Sequence, residues 1–385
     1  MNFDLTEEQR MIREMVRDFA ERELQPVAGA IDREHRFPAE QIQKMAELGL
    51  MGIVVPPEYG GAGMDYVCYV IATEEVARVC ASTSAVMSAH NSLCIGPIMD
   101  FGTEEQKKRW VIPLAQGQKL GSLGMTEANA GSDAAGTRTT AERSGDEWVI
   151  NGTKNFITNG READVCCFIA VTEKGKGHRG ITMFVVEKGA PGFSVGKVED
   201  KLGIRGSSTV ELVFDNCRIP ADHLLGNPGE GFKIALHTLD GGRIGIAAQA
   251  VGIAQGALDA SIPYAEQRVQ FDQPIAHFQA IQWMIADMAT TIDAARLLTY
   301  RAACLKNKGE GRYTKEASMA KLFASEVAMK ITTQAIQIHG GYGYTTDYPV
   351  ERFFRDAKIT EIYEGTSEIQ RLVIAANILN LKKKR

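Results

Sequence analysis

The sequence has little of what marks the specialised classes of protein. Its seven cysteines include no CxxC pair and show no zinc-ligand spacing with the seven histidines, so we expect buried thiols in a reducing compartment and no metal site. No apolar run approaches the roughly 20 residues of a membrane span. The first residues have neither the basic start nor the apolar stretch of a signal peptide, which predicts a cytoplasmic location in a prokaryote.

An excess of basic charge is also missing, and so are the common catalytic signatures. Lys and Arg number 43 against 48 Asp and Glu, a formal net charge of −5, so we expect no nucleic-acid partner. No GxGxxG follows a strand and opens a helix, and no P-loop, GxSxG or HExxH pattern occurs. Glycine is the residue in excess, because its 38 copies are about a tenth of the chain against a typical ~7%.

Hydrophobic periodicity divides the chain into three blocks. Residues 1–118 show helical spacing, residues 119–228 hold short β-branched and aromatic runs between turn residues, and residues 229–385 are helical again. Long helices with short connections favour an antiparallel bundle. The predicted fold class is therefore α+β multidomain, with an N-terminal all-α domain, a small central β-barrel or sandwich, and a C-terminal antiparallel four-helix bundle.

Local signals place individual elements within these blocks. Thr6 followed by Gln9 is a capping box and predicts a helix start, while Asn151-Gly152 after an apolar run predicts a hairpin turn. The predicted strands are Val165–Val171, Ile181–Val186 and Thr209–Phe214, and the predicted long helices include Met284–Lys306 and Lys315–His339.

Two polar segments of the central block are candidates for a ligand site. Residues 124–133 are rich in small residues that let backbone N–H groups approach a ligand, although an ordinary domain-entry loop would look the same. Residues 154–160 place Phe156 and Thr158 on one face of a strand, where they could stack on a ring and hydrogen-bond it. A simple strand end is the alternative for that segment.

Two further candidates lie in the C-terminal block. Residues 337–344 end a helical stretch with more glycine than helix termination requires, so close backbone approach to a ligand is an alternative to a plain helix end. Residues 355–368 place Glu364 beside Gly365 between two helical stretches. That carboxylate could be a desolvated base or could simply lie at a helix start.

Taken together and in this order, these motifs resemble the acyl-CoA dehydrogenase family, most closely its short-chain (butyryl-CoA) branch. The resemblance runs from the first helices to Ile374 and is strongest over Arg355–Arg371. Lys201–Thr209 and Leu239–Gly245 support the short-chain branch.

The resemblance implies a helical domain, a β domain and a four-helix bundle, assembled as a homotetramer built from two dimers. FAD would lie between the β domain and the bundle, at a subunit contact. The implied reaction is α,β-dehydrogenation of butyryl-CoA to crotonyl-CoA. Glu364 would take the α-proton, a hydride would pass to flavin N5, and the electrons would go to an electron-transferring flavoprotein.

The resemblance assigns site residues one by one. Glu364 matches the catalytic base. The cofactor-binding positions are Leu123, Met125, Thr126, Ser132, Phe156, Ile157, Thr158, Thr366 and Glu368, together with Arg268, Gln270, Phe271, Gln279, Gln337, Gly340 and Gly341 from the adjacent subunit. The substrate-binding positions are Ser132, Asp240, Arg243, Tyr363 and Gly365.

Three positions depart from the pattern of some relatives. Phe156 replaces a Trp but can still stack, and Asn129 replaces a Pro, which affects only loop rigidity. Relatives acting on branched or long chains carry their base at the position of Gly242, which cannot serve here, so the base falls to Glu364. A short branched-chain acyl-CoA dehydrogenase is the alternative function, and a non-catalytic scaffold of the same fold is a second alternative.

Overall fold

A computed structural model describes residues 4–309 and 311–381, in which helices, a sheet and helices follow one another along the chain. Within that part of the chain, no helix is long and apolar enough to cross a membrane. The helices before the first strand are α1 (Glu7–Phe19), α2 (Ala28–Arg33), α3 (Ala39–Glu47), α4 (Tyr66–Val79), α5 (Ala81–Ser88), α6 (Gly96–Phe101), α7 (Glu104–Gln106) and α8 (Ile112–Ala115).

Local capping and burial explain how this first block is built. The capping box is confirmed, because Thr6 Oγ1 accepts the Gln9 N–H while the Gln9 side chain accepts the Thr6 N–H. Helix α1 buries an apolar stripe, whereas α4 is buried on nearly all sides. A π-helical segment, Ala89–Ile95, continues α5, and its His90 is buried.

The strands of the central block form one sheet. They are β1 (Gly121–Gly124), β2 (Thr140–Ser144), β3 (Glu147–Thr158), β4 (Val165–Val171), β5 (Ile181–Glu187), β6 (Phe193–Val198), β7 (Thr209–Pro220) and β8 (Leu224–Leu225). Their order is β6-β7-β3-β2-β4-β5-β8, and β1 pairs in parallel with β4. The two halves of the sheet join where Thr140 of β2 pairs with Val171 of β4. Side chains of both halves, including Phe168 and Phe214, share one apolar core.

The predicted hairpin turn at Asn151-Gly152 is wrong. Both residues lie inside β3, where a register shift between Ile150 and Gly152 marks a β-bulge against β7. The Asn151 side-chain oxygen accepts the backbone N–H of Asn216 at 2.8 Å. The turn comes earlier, between β2 and β3, where Gly145 takes a φ of +61°. Pairing with a distant strand therefore overrides the local turn signal.

The third block is built on three long helices. They are α9 (Gly231–Gln267), α10 (Gln279–Lys308) and α11 (Thr314–His339), followed by α12 (Val350–Lys358) and α13 (Ser367–Ile378). A short hairpin of β9 (Val269–Gln270) and β10 (Gln273–Pro274) connects α9 to α10. Helix α9 contacts both α10 and α11, and α11 also contacts α12 and α13, so α9 and α11 form the centre of this block.

Glycines let α9 pack directly on α4 of the first block. A Cβ at Gly245 would lie 2.6 Å from the Tyr69 hydroxyl, and Cβ atoms at Gly252 and Gly256 would overlap the backbone carbonyls of Glu74 and Arg78. Any larger residue would push the two helices apart. This close contact fixes the face of α9 that carries residues 240–243, where the substrate-binding residues were predicted.

Candidate active site

Glu364 lies in a strained turn between α12 and α13, which we call the base turn (Tyr363–Thr366). Glu364 takes a φ of +52° and Gly365 a φ of +96°. A left-handed conformation at a non-glycine residue costs about 1–3 kcal/mol and persists only where surrounding contacts enforce it. The turn ends at Thr366, whose hydroxyl accepts the Ile369 N–H at 3.4 Å and so caps α13.

Two side chains from different helices hold the base turn. Gln370 of α13 donates from Nε2 to the carbonyl oxygens of Glu364 at 3.2 Å and Gly365 at 2.8 Å. Lys321 of α11 donates from Nζ to the same Gly365 oxygen at 2.8 Å. These three hydrogen bonds fix the carbonyl groups of Glu364 and Gly365. Among the described residues, no acceptor is placed for the Glu364 backbone N–H.

The Glu364 carboxylate points to the face of α9 that carries Gly242. A Cβ on Gly242 would overlap Glu364 Oε2 and would lie 2.9 Å from Leu93 Cδ2, so only glycine leaves room for the carboxylate there. Glu364 Oε2 is enclosed, yet it has no hydrogen-bond partner among the described residues. Unpaired buried acceptors are rare in folded proteins, which marks this oxygen as a functional candidate.

Burial sets the protonation of this carboxylate. Desolvation raises the pKa of Glu364 to about 7, while the positive charges of Lys321 and Arg243 keep it from rising further. A carboxyl group with a pKa near neutrality can both accept and retain a proton at physiological pH, which suits a general base.

Asp240 and Arg243 form one buried unit on α9. Arg243 Nη1 lies 2.6 Å from Asp240 Oδ1, and the Thr314 hydroxyl donates to Asp240 Oδ2 at 2.5 Å. Arg243 Nε has no partner among the described residues. The predicted substrate residues Asp240 and Arg243 are thus on the same helix as Gly242 and close to the base.

A buried ion pair anchors the loop of residues 124–133, which was predicted to hold a flavin, to strand β3. Lys154 Nζ lies 2.7 Å from Glu127 Oε1, and the two side chains are 0% and 5% exposed. Glu127 also accepts the backbone N–H groups of Arg138 at 2.7 Å and Thr139 at 3.0 Å. Burial opposes the ionisation of Glu127, but the charge and hydrogen bond of Lys154, helped by the Thr137 hydroxyl, lower its pKa to about 2.

The predicted flavin residues Phe156, Ile157 and Thr158 follow Lys154 along β3. Phe156 takes a φ of +59° and is 61% exposed, whereas Ile157 turns into the core. Thr158 is partly accessible, and a register shift between Lys154 and Ile157 interrupts the regular alternation of β3 at Phe156. The adjoining predicted positions are Leu123 at the end of β1, Met125 and Thr126 in the loop after it, and Ser132 in an exposed bend.

Four other predicted cofactor residues line a cavity of about 470 Å³ beside the β9–β10 hairpin. We call it the hairpin cavity, and its lining includes Arg268, Gln270, Gly340 and Gly341. Phe271 is 88% exposed at the hairpin tip. Gln279 begins α10 and Gln337 lies near the end of α11, both exposed and outside the cavity lining.

The structure thus places the predicted residues in three groups: one around Glu364, one on the central sheet and its loop, and one at the hairpin cavity. Glu364, Tyr363, Gly365, Asp240 and Arg243 meet at α9, with Thr366 and Glu368 at the start of α13. None of these lines the hairpin cavity. Among the described residues, no cluster of three or more His, Cys, Asp and Glu is placed to hold a metal ion.

Sequence reasoning assigned no role to Lys321 or Gln370, which hold the base turn, or to the pair Glu127 and Lys154. A signal existed for Lys321, because it is a charged residue within a stripe of small apolar residues that includes Ala317, Ala320 and Ala324. The other three lie near residues that were assigned, but their contacts could not be read from spacing.

Three family models match the chain in succession. They are the acyl-CoA dehydrogenase N-terminal domain over residues 6–118, the middle domain over residues 122–217 and the C-terminal domain over residues 229–379. The chain belongs to the acyl-CoA dehydrogenase family. The short-chain acyl-CoA dehydrogenase of Clostridium acetobutylicum is 54% identical over 378 residues, covering 98% of this chain and 100% of that protein.

Solved structures of relatives agree over the whole fold. A chain from the electron-transferring flavoprotein study of Acidaminococcus fermentans matches with a TM-score of 0.98 and 52% identity, covering 99% of this chain and 100% of that one. Butyryl-CoA dehydrogenase of Megasphaera elsdenii matches with a TM-score of 0.97 and 48% identity, covering 98% and 100%. The chain is therefore an oxidoreductase, and FAD is the cofactor of this family.

The residues present fit that cofactor. Phe156 offers an exposed aromatic face beside the Thr158 hydroxyl, as a flavin ring requires. At the hairpin cavity, Cβ atoms on Gly340 and Gly341 would meet nothing within 4 Å, so bare backbone faces open space next to Arg268. The Gly340 N–H donates to the Gln337 carbonyl, so the feature that suits a pyrophosphate here is the open space at these glycines beside the Arg268 guanidinium.

Proposed function

We propose that this protein is an FAD-dependent short-chain acyl-CoA dehydrogenase that converts butyryl-CoA to crotonyl-CoA and passes electrons to an electron-transferring flavoprotein. The observation that carries the proposal is the enclosed, unpaired carboxylate of Glu364 in a strained turn facing Gly242. The short-chain relatives at 54% and 48% identity support the substrate class.

Glu364 would act as the base that removes the α-proton of the thioester. Such a proton is far too weakly acidic for a carboxylate with an ordinary pKa near 4.3. Burial of Glu364 raises its pKa to about 7 and makes it a stronger base. The unpartnered Glu364 N–H would donate to the thioester oxygen, where one such donor is worth about 3 kcal/mol in the transition state.

Other residues of this chain position the reactants. Phe156, Thr158, Thr126 and the loop around Ser132 would hold the flavin, which when bound accepts the β-hydrogen as a hydride. The buried Asp240–Arg243 unit would bind the CoA portion. Two hydrogen bonds lie beyond Gly242. The Tyr69 hydroxyl of α4 bonds the Ser88 hydroxyl of α5, and the Tyr363 hydroxyl of the base turn donates to the Gln249 side chain of α9. We propose that these contacts limit the length of the acyl chain.

The test is turnover of Glu364→Gln beside the wild type, with butyryl-CoA and a dye acceptor. We expect the variant to purify yellow and to bind butyryl-CoA, but to lose turnover by about 10²–10⁴-fold, the usual contribution of a general base. Near-normal turnover would refute the assignment of the base. Parallel assays with isobutyryl-CoA and hexanoyl-CoA separate the short straight-chain function from the branched-chain alternative.

We further propose that the protein assembles as a homotetramer built from two dimers, with domain boundaries at 118/119 and 228/229. Homotetramers are typical of the family. Exposed apolar residues on the third block, including Phe271 at 88%, Trp283 at 64% and Leu372 at 65%, support burial against other subunits. Light scattering on the purified protein tests the assembly.

The cytoplasmic, prokaryotic location also stays a proposal. Its support is that all seven cysteines are free thiols and six of them are buried, which fits a reducing compartment. Fractionation of the source cells tests it.

A further inference from the structure

We propose that Lys321 is a positioning residue for Glu364, because its buried ammonium holds the carbonyl of the next residue, Gly365, and supplies a positive charge that acts on the base. This inference rests on the proposed function, since it concerns how the same base is held and tuned. It adds a residue that none of the sequence motifs identified.

The geometry is specific to the base turn. Lys321 is 0% exposed and lies in the buried stripe of α11, between Ala320 and Ala324. Among the described residues, its one hydrogen bond goes to the Gly365 oxygen at 2.8 Å, and no carboxylate forms a close ion pair with it; the charges of Glu361 and Glu368 act on it less directly. Gln370 donates to the same oxygen. The base turn is therefore held by one neutral donor and one charged donor.

A stabilising role for Lys321 is hard to reconcile with its surroundings. An ammonium taken out of water without a carboxylate partner destabilises the fold, and an apolar side chain of similar length would remove that penalty. Burial lowers the pKa of Lys321 to about 8, which shows that its charged form is disfavoured there. The hydrogen bond that the ammonium makes in this position is to the residue that follows the base.

Two positive charges, those of Lys321 and Arg243, act on the Glu364 carboxylate. Arg243 of α9 also faces the carboxylate, but Asp240 pairs with that guanidinium at 2.6 Å. The other titratable groups that face it are the neutral phenols of Tyr66 and Tyr69 on α4 and of Tyr363 in the base turn. Lys321, in contrast, forms no close ion pair with a described carboxylate, although the charges of Glu361 and Glu368 also act on it.

The direction of the effect follows from this arrangement. A positive charge favours the ionised carboxylate, so removing it should raise the pKa of Glu364 above its present value of about 7. The base would then stay protonated over a wider pH range. Below its pKa the rate of a base-dependent step falls tenfold per pH unit, so a shift of one unit becomes a tenfold loss at acidic pH.

The experiment compares two substitutions that separate hydrogen bonding from charge. Lys321→Gln keeps a donor for the Gly365 oxygen and removes the charge, while Lys321→Met removes both. Lys330→Met is the matched control, because Lys330 is an exposed lysine on the same helix. For each holoenzyme we would measure kcat/KM for butyryl-CoA from pH 5.5 to 9, exchange of its α-protons in D₂O, and the midpoint of thermal unfolding.

We expect Lys321→Gln to move the rising limb of both pH profiles up by about one unit, with rates at pH 9 within about twofold of the wild type. Lys321→Met should show the same shift and a lower plateau. Neither should unfold at a lower temperature, and the control should match the wild type.

Unchanged pH profiles in both Lys321 variants would overturn the proposal, and so would loss of thermal stability with an unshifted profile, which indicates a structural role. Absence of both turnover and α-proton exchange in the wild type would instead contradict the proposed function.

Discussion

The group of predicted site residues around Glu364 and the group at the hairpin cavity differ in how complete they are within one chain. Around Glu364 the polar groups are enclosed, and residues of four helices meet: Gly242 of α9, Thr314 and Lys321 of α11, Leu93 of the segment after α5, and Gln370 of α13. At the hairpin cavity, Arg268, Gly340 and Gly341 face open space, and Phe271 projects from the surface.

This difference indicates that the two groups have different tasks: the residues around Glu364 carry the reaction, and those at the hairpin cavity bind the cofactor. The first group can raise the pKa of a base because a single chain already encloses the Glu364 Oε2 atom. The open group offers a cation and bare backbone but no enclosure, as expected of half of a site that a second subunit completes. Changes near Glu364 should therefore impair turnover, whereas changes at the hairpin cavity should impair FAD binding.

The largest expected effect comes from filling the space opposite the base. In Gly242→Ala the new Cβ would displace the Glu364 carboxylate, and misplacing a catalytic group by about 1 Å can cost 10²-fold in rate. We expect kcat to fall by about 10²-fold while bound FAD is retained. Gly96→Ala, whose Cβ would make an ordinary contact at 3.7 Å, is the matched control. Full activity in Gly242→Ala would show that the carboxylate does not need this space.

The next effect concerns the folding free energy that the buried ion pair Lys154–Glu127 contributes. Lys154→Met leaves the Glu127 carboxylate buried without its ammonium, and breaking such a pair costs about 3–5 kcal/mol of folding free energy. Chemical denaturation of the holoenzyme would measure the loss. The double variant Lys154→Met/Glu127→Gln removes both charges but keeps an acceptor for the Arg138 and Thr139 N–H groups, so it should recover part of the loss. If the double variant is no more stable than the single one, the pair does not act as a unit.

The smallest expected effect concerns the open group. Arg268→Ala should weaken FAD binding by about 10–100-fold, since a hydrogen bond to a charged group is worth about 1.5–3 kcal/mol. Added FAD should restore its kcat, which it would not do for Gly242→Ala. Titration of apoprotein with FAD checks this, with the exposed Arg312→Ala as control. If Arg268→Ala still lost kcat at saturating FAD, the hairpin cavity would not differ from the Glu364 group in its effect on turnover.

Local patterns in the sequence predicted much of this architecture. The capping box at Thr6, the strand Val165–Val171 and the long helix ending at His339 appear as expected, because each depends on residues close in the chain. The turn predicted at Asn151-Gly152 failed because β7, some 60 residues later, pairs across it.

The base itself was accessible from sequence through its resemblance to a family, but its environment was not. Lys321 contacts a carbonyl 44 residues away, and Lys154 contacts a carboxylate 27 residues away. No periodicity reports such contacts, because they depend on how helices and strands pack. The orphaned oxygen of Glu364 and the role of Gly242 are likewise properties of the packed structure.

The central claim is that an enclosed Glu364 with a raised pKa is the base, and the pH dependence of kcat/KM for butyryl-CoA tests it most directly. This quantity reports ionisation in the free enzyme. The carboxylate must be ionised to act, so the rate should rise with pH to a midpoint near the Glu364 pKa of about 7, and Glu364→Gln should lack the rise. A midpoint near 4.5, or the same profile in Glu364→Gln, would contradict the account.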